Sequence, residues 1–129
     1  IIVLVLAGVS LYTPVAEAAD VAGKVRQAFT QGNAGLIKQC LPPKGRVKVS
    51  MNAVGIKSGD YSRGQAVALL RKAFSNYQTV SFTLNSRPGA LRGKWVVRSR
   101  KDGKKKEITV YVSVKNQKNR SVITSIRGG

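Results

Sequence analysis

Acidic side chains, which general acid–base chemistry requires, are rare in this sequence. The 129 residues include 23 Lys and Arg, five Asp and Glu, and no His. A carboxyl group can act as an acid or base near neutral pH when an apolar interior raises its pKa. None of the acids after residue 18 is expected in such a place, because they precede helices, lie in a turn or lie on the polar side of a strand. These acids are Asp20, Asp60, Asp102 and Glu107.

The sequence therefore predicts that the protein is not an enzyme and has no catalytic residue. One alternative from the enzyme class stays open: a small-molecule isomerase or hydrolase that uses a tyrosine with a carboxylate. This alternative requires Asp60 or Glu107 to point into the interior of the fold. No cluster of His, Cys, Asp and Glu has the spacing of a metal site, and no glycine-rich loop suits a phosphate, so we expect neither a metal nor a cofactor.

The single cysteine, Cys40, is the remaining candidate nucleophile. A reactive thiolate needs a neighbouring base, and the sequence contains no histidine to serve as one. Cys40 follows the apolar residues Leu36 and Ile37 at helical spacing. We therefore predict that Cys40 is a small buried core residue, and a single cysteine cannot form a disulfide within the chain.

Positive charge is the most unusual property of the chain, which has a formal net charge of +18. Such a charge favours contact with polyanions, and the candidates are anionic lipid, acidic polysaccharide and nucleic acid. No motif of stacking aromatic residues accompanies the charge, so the sequence holds no evidence for specific nucleic-acid recognition. A solvated basic surface without a ligand is the other interpretation. The densest cluster, on one predicted strand and the turn after it, supplies the anion-binding candidates Lys94, Arg98, Arg100, Lys104, Lys105 and Lys106.

Export is predicted from the first residues. Residues 1–9 are almost wholly apolar, and Ala16 and Ala18 have the small side chains that signal peptidase recognises before a cut. We expect residues 1–18 to be a secretory signal whose start is missing from this chain, and residues 19–129 to form one periplasmic or extracellular domain. An uncleaved membrane anchor is the alternative, but the apolar run is shorter than the roughly 20 residues that span a bilayer.

One long amphipathic helix is predicted to organise the fold. Apolar residues from Ala66 to Tyr77 recur at helical spacing, and Ser62 with Gln65 can form a capping box at the helix start. Two shorter helices and a strand are expected before it, and four strands with alternating apolar residues after it. The predicted bounds are residues 20–30 and 34–40 for the helices, 46–51 for the first strand, 55–59 for a turn or short edge strand, and 79–85, 93–100, 107–114 and 121–127 for the later strands.

Four segments carry a resemblance to a known fold: Gln31-Gly32-Asn33, Val47-Lys48-Val49, the residues from Gly59 to Ala66, and Phe82-Thr83-Leu84. Their order and spacing resemble the cone-shaped, cystatin-like fold of the nuclear transport factor 2-like superfamily, and within it small exported bacterial domains of unknown function. The resemblance covers roughly residues 20–127. It implies an α+β fold in which a curved antiparallel sheet of four to six strands wraps around the long helix, with two helices at the N-terminus.

The interior of such a cone is where a ligand would bind. In superfamily members that are enzymes, the open mouth holds an acid–base pair, often Asp with His or Tyr, and this chain departs from that pattern because it has no histidine. We therefore expect a non-catalytic exported domain with a binding or structural role, monomeric or homodimeric, whose partner is unknown. Aromatic residues could line a pocket for a small apolar ligand, or they could simply fill the core: Phe29, Phe82, Trp95 and Tyr111.

Overall fold

The computed structural model describes residues 13–87, 89–117 and 120–129. Three α-helices in this part of the chain lie on one face of an open, curved sheet of six strands, as the predicted α+β fold requires. We call the face that the helices cover the inner face and the opposite face the outer face. The elements are α1 (Thr13–Gln31), α2 (Ala34–Lys38), β1 (Val47–Met51), β2 (Ile56–Tyr61), α3 (Arg63–Asn76), β3 (Tyr77–Arg87), β4 (Ala90–Ser99), β5 (Lys105–Gln117) and β6 (Arg120–Gly128).

The strands follow the order β2-β1-β6-β5-β4-β3, so β2 and β3 are the edges of the sheet. Four of the neighbouring pairs are antiparallel as predicted, but β1 and β6 run parallel to each other, so the sheet is not wholly antiparallel. A parallel pair needs a long crossover connection, which the chain between β1 and β6 supplies. The turn from β4 to β5 is formed as predicted, because Gly103 has φ +73°, the left-handed conformation that glycine adopts without strain.

Helix α3 begins at the predicted capping box. The Gln65 backbone N–H donates to Ser62 Oγ at 3.3 Å, and the Ser62 backbone N–H donates to Gln65 Oε1 at 3.0 Å. These two bonds satisfy backbone groups that have no partner within the helix. The helix has 14 residues, fewer than the 19 of α1, and both helices contact the sheet. The predicted organising helix therefore shares that role with α1.

Helix α1 starts earlier than predicted, at Thr13 rather than Asp20. Alanines favour the helix, and proline is tolerated in the first turn, so this extension agrees with local propensity. The predicted cleavage point after Ala18 lies inside α1, and the rest of the predicted signal, residues 1–12, lies outside the described residues. Export therefore stays a prediction.

Strand β3 departs from the predicted alternation. It begins at Tyr77, directly after α3, and its pairing with β4 shifts between Thr79 and Ser81. This irregularity is a β-bulge, which changes the side to which the following side chains point. Strict alternation along the predicted strand 79–85 would place Val80 on the same face as the half-buried Phe82, but Val80 is 47% exposed. The bulge places Thr79 in the inner-face position that Val80 was expected to occupy.

The core lies between the helices and the inner face of the sheet. Most of the alternating apolar residues of β4 and β5 are buried as expected for an inward face, among them Val97, Ile108 and Val110, whereas Val114 is half-buried. Cys40 is 2% exposed, which confirms its prediction as a core residue. Its Sγ lies 3.8 Å from the backbone oxygen of Leu36, one helical turn earlier.

Candidate functional site

Four aromatic side chains meet in the interior. The Phe29 ring on α1 lies 4.8 Å from the Phe82 ring, 5.0 Å from the Trp95 ring and 5.5 Å from the Phe74 ring, measured between centroids. Phe29 and Trp95 have no exposed surface. Stacked and edge-to-face contacts at these distances are those of a packed aromatic core. Three of the four pocket candidates therefore come together, and they contact one another.

Tyr111, the fourth pocket candidate, does not lie with them. It follows Val110 on β5, and successive residues of a strand point to opposite faces. Val110 is fully buried, whereas Tyr111 is 39% exposed on the outer face. Tyr111 therefore belongs to a different surface from the interior that it was expected to line.

Thr79, which was not among the sequence candidates, connects three elements at the edge of the aromatic core. Its Oγ1 donates a hydrogen bond of 2.6 Å to the backbone oxygen of Phe29 and accepts one of 2.9 Å from Trp95 Nε1. The carbonyls in the last turn of a helix have no helical partner, so the first bond satisfies such a group of α1. Thr79 thereby holds α1 against β3 and fixes the indole of Trp95.

Two of the acids that an enzyme would need point away from the interior. Asp60 pairs in register with Lys48 on β1, between the inward residues Val47 and Val49. Glu107 precedes the buried Ile108, and its side chain is 58% exposed. Asp60 is exposed as well. These two residues therefore do not form the interior carboxylate that the isomerase or hydrolase alternative requires.

Asp102 lies in the turn between β4 and β5. The backbone N–H of Lys104 donates to Asp102 Oδ1 at 2.9 Å, and this bond is the main cause that holds the pKa of the Asp102 carboxyl below its usual value. The hydroxyl of Ser99 and the positive charges of Lys104 and Lys106 act in the same direction. The carboxylate therefore stabilises the turn, which is fully exposed.

The six predicted anion-binding residues do not share one surface. In the pairing of β4 with β5, Arg98 is opposite Lys105 and the buried Val97 is opposite Lys106. Lys105 is therefore on the outer face and Lys106 on the inner one. The Nζ of Lys106 donates to the backbone oxygen of Ala53 at 3.2 Å, so this lysine joins β5 to the segment between β1 and β2.

The other members of that cluster are divided between the outer face and the turn. Lys94 Nζ lies 3.3 Å from Glu107 Oε1 on the neighbouring strand, in an exposed ion pair. Arg98 Nη1 donates to the backbone oxygen of Gly103 at 3.1 Å. Two members lie beyond the end of β4, in the turn: Arg100 and Lys104.

A groove with a cavity volume of about 340 Å³ crosses the outer face where β3, β4 and β5 meet. Register explains its composition, because Thr83 pairs with Lys94 and Asn85 with Arg92, all on the outer face. The lining carries three cationic side chains and three neutral hydrogen-bonding ones, and no acidic one. We call it the outer groove; it is lined by Thr83, Asn85, Arg87, Arg92, Gly93, Lys94 and Thr109.

Tyr111 lies beside this groove, between two arginines. Arg92 and Arg127 are its partners in register on β4 and β6. The Cζ of Arg92 lies 5.7 Å from the centroid of the Tyr111 ring, and the Cζ of Arg127 lies 5.6 Å from it. Both distances fall within the range of cation–π attraction. We call these three residues the arginine–tyrosine row.

A second groove continues the outer face on the other side of the row. It has a cavity volume of about 340 Å³ and lies over β2, β1 and β6. Arg127 belongs both to the row and to this lining, just as Arg92 belongs both to the row and to the outer groove. The row therefore connects the two grooves. The second groove is lined by Lys48, Val49, Ser50, Ser58, Gly59, Asp60 and Arg127.

The described residues also bear on two other kinds of site, a metal site and a membrane-spanning helix. Within residues 13–87, 89–117 and 120–129, no three side chains of His, Cys, Asp or Glu lie close enough together to hold a metal ion. In the same ranges, no helix has both the length and the hydropathy needed to cross a bilayer.

Comparison with known proteins identifies relatives by sequence and by fold. The chain is similar to a DUF4783 family protein from Bacteroides ovatus ATCC 8483, with 17% identity and a TM-score of 0.64 over 84% of this chain and 94% of that chain. A DUF4783 family protein from Bacteroides uniformis ATCC 8492 is similar as well, with 21% identity and a TM-score of 0.62 over 84% of this chain and 94% of that chain. A designed nuclear transport factor 2-like protein with a long sheet has 21% identity and a TM-score of 0.59 over 87% of this chain and 99% of that chain. A search of curated proteins found no match.

These structural likenesses lie below 25% identity, so they establish the fold alone, which is the nuclear transport factor 2-like fold. The family rests on the sequence. The family model described as Domain of unknown function (DUF4783) matches residues 22–127, which is most of the chain. The chain therefore belongs to the DUF4783 family, and its fold is the one that the sequence resembles.

Proposed function

We propose that this protein is a non-catalytic binding domain that docks on polyanions through the outer face of its sheet. The observation that carries the proposal is the arginine–tyrosine row, with a groove on each side of it. The outer groove brings the cations Arg87, Arg92 and Lys94 to one lined cavity. A concave surface with converging charged and hydrogen-bonding groups is the usual form of a binding site.

The charge of the chain supports this function. The chain has 23 Lys and Arg against five Asp and Glu, so basic side chains outnumber acidic ones by 18. Basic residues on one face attract a polyanion and raise the rate at which it associates. The exposed Lys94–Glu107 pair does not remove Lys94 from this surface, because a surface ion pair contributes only about 0–1 kcal/mol and is exchanged readily.

The interior supports the non-catalytic part of the proposal. Between α1, α3 and the sheet, four aromatic rings contact one another: Phe29, Phe74, Phe82 and Trp95. Asp60 and Glu107 lie on the outer side. The secretory signal predicted for residues 1–18 would place the outer face at the cell envelope, where anionic polymers and lipids are present.

Binding to a heparin column, followed by elution in a salt gradient, tests the proposal. We expect the wild-type chain to be retained and to elute at a few tenths molar salt, because salt screens exposed charges. Replacement of Arg92 and Arg127 by Ser should clearly lower the salt concentration at which the protein elutes. The matched control replaces Arg71 and Lys72 on the exposed side of α3 by Ser, with the same loss of charge.

A third variant separates the outer face from the turn that the sequence favoured. It replaces the three basic residues of the turn, Arg100, Lys101 and Lys104, by Ser and so removes one more charge than the outer-face variant. If the outer face is the docking surface, this variant elutes later than the one lacking Arg92 and Arg127. Equal elution of the outer-face variant and the α3 control would refute the proposal, because retention would then depend on total charge alone.

A further inference from the structure

The outer groove presents two kinds of group to a ligand. Arg87, Arg92 and Lys94 can pair with an anion, whereas the hydroxyl and amide groups of the lining can both donate and accept hydrogen bonds. A phosphate or sulfate alone would use only the donors. A ligand that satisfies the whole lining needs a negative charge and several neutral hydroxyl groups on one small unit. The neutral groups belong to Thr83, Asn85 and Thr109.

The arginine–tyrosine row specifies the shape of the anion. Contact with the Tyr111 ring restrains the guanidinium groups of Arg92 and Arg127. A guanidinium that is held by an aromatic ring still has an edge of N–H donors, and this edge matches the two oxygens of a carboxylate. Strands in a sheet are about 4.8 Å apart, so the two arginines, which are two strands apart, can receive carboxylates about 10 Å from each other. Successive charged units of an extended polymer can meet this spacing.

Two other polyanions fit this surface less well. Single-stranded nucleic acid binds by stacking its bases on open aromatic rings, and the ring of Tyr111 already contacts two guanidinium groups. A membrane surface is bound most firmly when apolar side chains enter the lipid. Among the described residues, the exposed large apolar side chains are Val80 and Tyr111, and they do not form a patch.

We propose that the outer groove binds a carboxylated sugar unit of an extended acidic polysaccharide, with the carboxylate on Arg92 and the sugar hydroxyls on the neutral side chains. The inference rests on the proposed function, since it names the ligand class of the same face. Thr83, Asn85 and Thr109 distinguish it from docking by charge alone. They contribute no charge, and their acceptor oxygens can be used only by a ligand that has hydrogen-bond donors such as hydroxyl groups.

Titration calorimetry at constant salt tests this ligand class with an oligogalacturonate, an oligothymidylate of the same charge, and vesicles of phosphatidylglycerol. The chain should bind the oligogalacturonate most tightly. The double variant Asn85→Ala with Thr109→Val should weaken that binding by about 3- to 10-fold, the loss expected for one or two hydrogen bonds. It should weaken oligothymidylate binding less, because phosphate oxygens can use only the donors of these side chains. Arg92→Lys, which keeps the charge, should weaken the oligogalacturonate complex about tenfold because the bidentate geometry is lost.

The outcomes separate the inference from the function on which it rests. Tighter binding of oligothymidylate or of vesicles, or an equal effect of the double variant on the uronate and the nucleotide, would overturn the sugar proposal and leave polyanion docking in place. If none of the three probes binds, or if Arg92→Ser has no more effect than Arg71→Ser, the proposed function fails as well. Circular dichroism of each variant shows whether the fold is intact.

Discussion

Replacement of Thr79 by Val tests how helix α1 is fastened to the sheet. Val has nearly the shape of Thr but lacks the hydroxyl, so the packing at this position is kept. The change removes both hydrogen bonds of Thr79 Oγ1, the one to the Phe29 backbone oxygen at 2.6 Å and the one from Trp95 Nε1 at 2.9 Å. Phe29 and Trp95 have no exposed surface, so neither orphaned group regains a partner easily.

The expected cost follows from these two groups. A buried polar group that loses its partner costs about 1–3 kcal/mol, which gives about 2–6 kcal/mol for two. Thr79 itself is half-buried, so water can approach from its side, and the lower part of that range applies. We therefore expect the free energy of unfolding to fall by about 2–4 kcal/mol. Since a domain of this size is stable by only about 5–15 kcal/mol, the loss is a large share of the total.

Urea denaturation followed by fluorescence measures this effect, because Trp95 is the single tryptophan of the chain. At a slope of about 2 kcal/mol per M urea, the unfolding midpoint should decrease by about 1–2 M. Thr79→Ser is the control, since it keeps the hydroxyl and loses one methyl group, worth about 0.8 kcal/mol. A Val variant as stable as wild type, or a Ser variant as unstable as the Val variant, would refute the role assigned to the hydroxyl.

Two further predictions concern the backbone and the pH dependence of stability. Gly93→Ala should lower the free energy of unfolding by about 1–3 kcal/mol in the same assay. The reason is that a Cβ at this position would lie 2.8 Å from the backbone oxygen of Thr83 and 2.9 Å from Phe82 Cζ. Gly64→Ala is the control and should not be destabilising, because a Cβ there meets open space. The pKa of Asp102, measured by NMR titration, should lie below its usual value because of the hydrogen bond from the Lys104 backbone. A pKa lowered by folding stabilises the native state above the unfolded-state value, near pH 4, and this contribution is lost as the pH falls through the folded-state value. In the Asp102→Asn variant, the free energy of unfolding should therefore depend less on pH in that acid range. A pH dependence equal to that of the wild type would contradict the role assigned to Asp102.

The secondary structure could be predicted from the sequence because it depends on local patterns. The period of apolar residues changes from helical to alternating near Tyr77, where α3 ends and β3 begins. The capping box of Ser62 and the Asp-Gly turn at Gly103 are local as well, and both are formed. The β-bulge after Thr79 could not be predicted in this way, because it depends on how β3 pairs with β4.

The candidate site was only partly predictable. The sequence showed that basic residues far outnumber acidic ones. The alternation of residues along β4 also indicated correctly that Lys94 lies on the polar face of its strand. The cluster of anion-binding candidates was chosen because its residues are close along the chain. Neighbours in a strand such as Lys105 and Lys106 nevertheless point to opposite faces of the sheet. Tyr111 also alternates with buried residues, a signal that could have placed it outside the interior.

Local sequence patterns by themselves determined the helices and the strands, and composition determined the excess of positive charge and the small number of acids. Only the tertiary structure decided which of these residues meet. Arg92, Tyr111 and Arg127 are separated by 15 residues or more along the chain, and strand register alone makes them neighbours. The same pairing directs Thr79 onto the indole of Trp95. The physical reason is that hydrogen bonds between strands set register over long sequence distances, whereas a sequence pattern reports only the side of its own strand on which a residue lies.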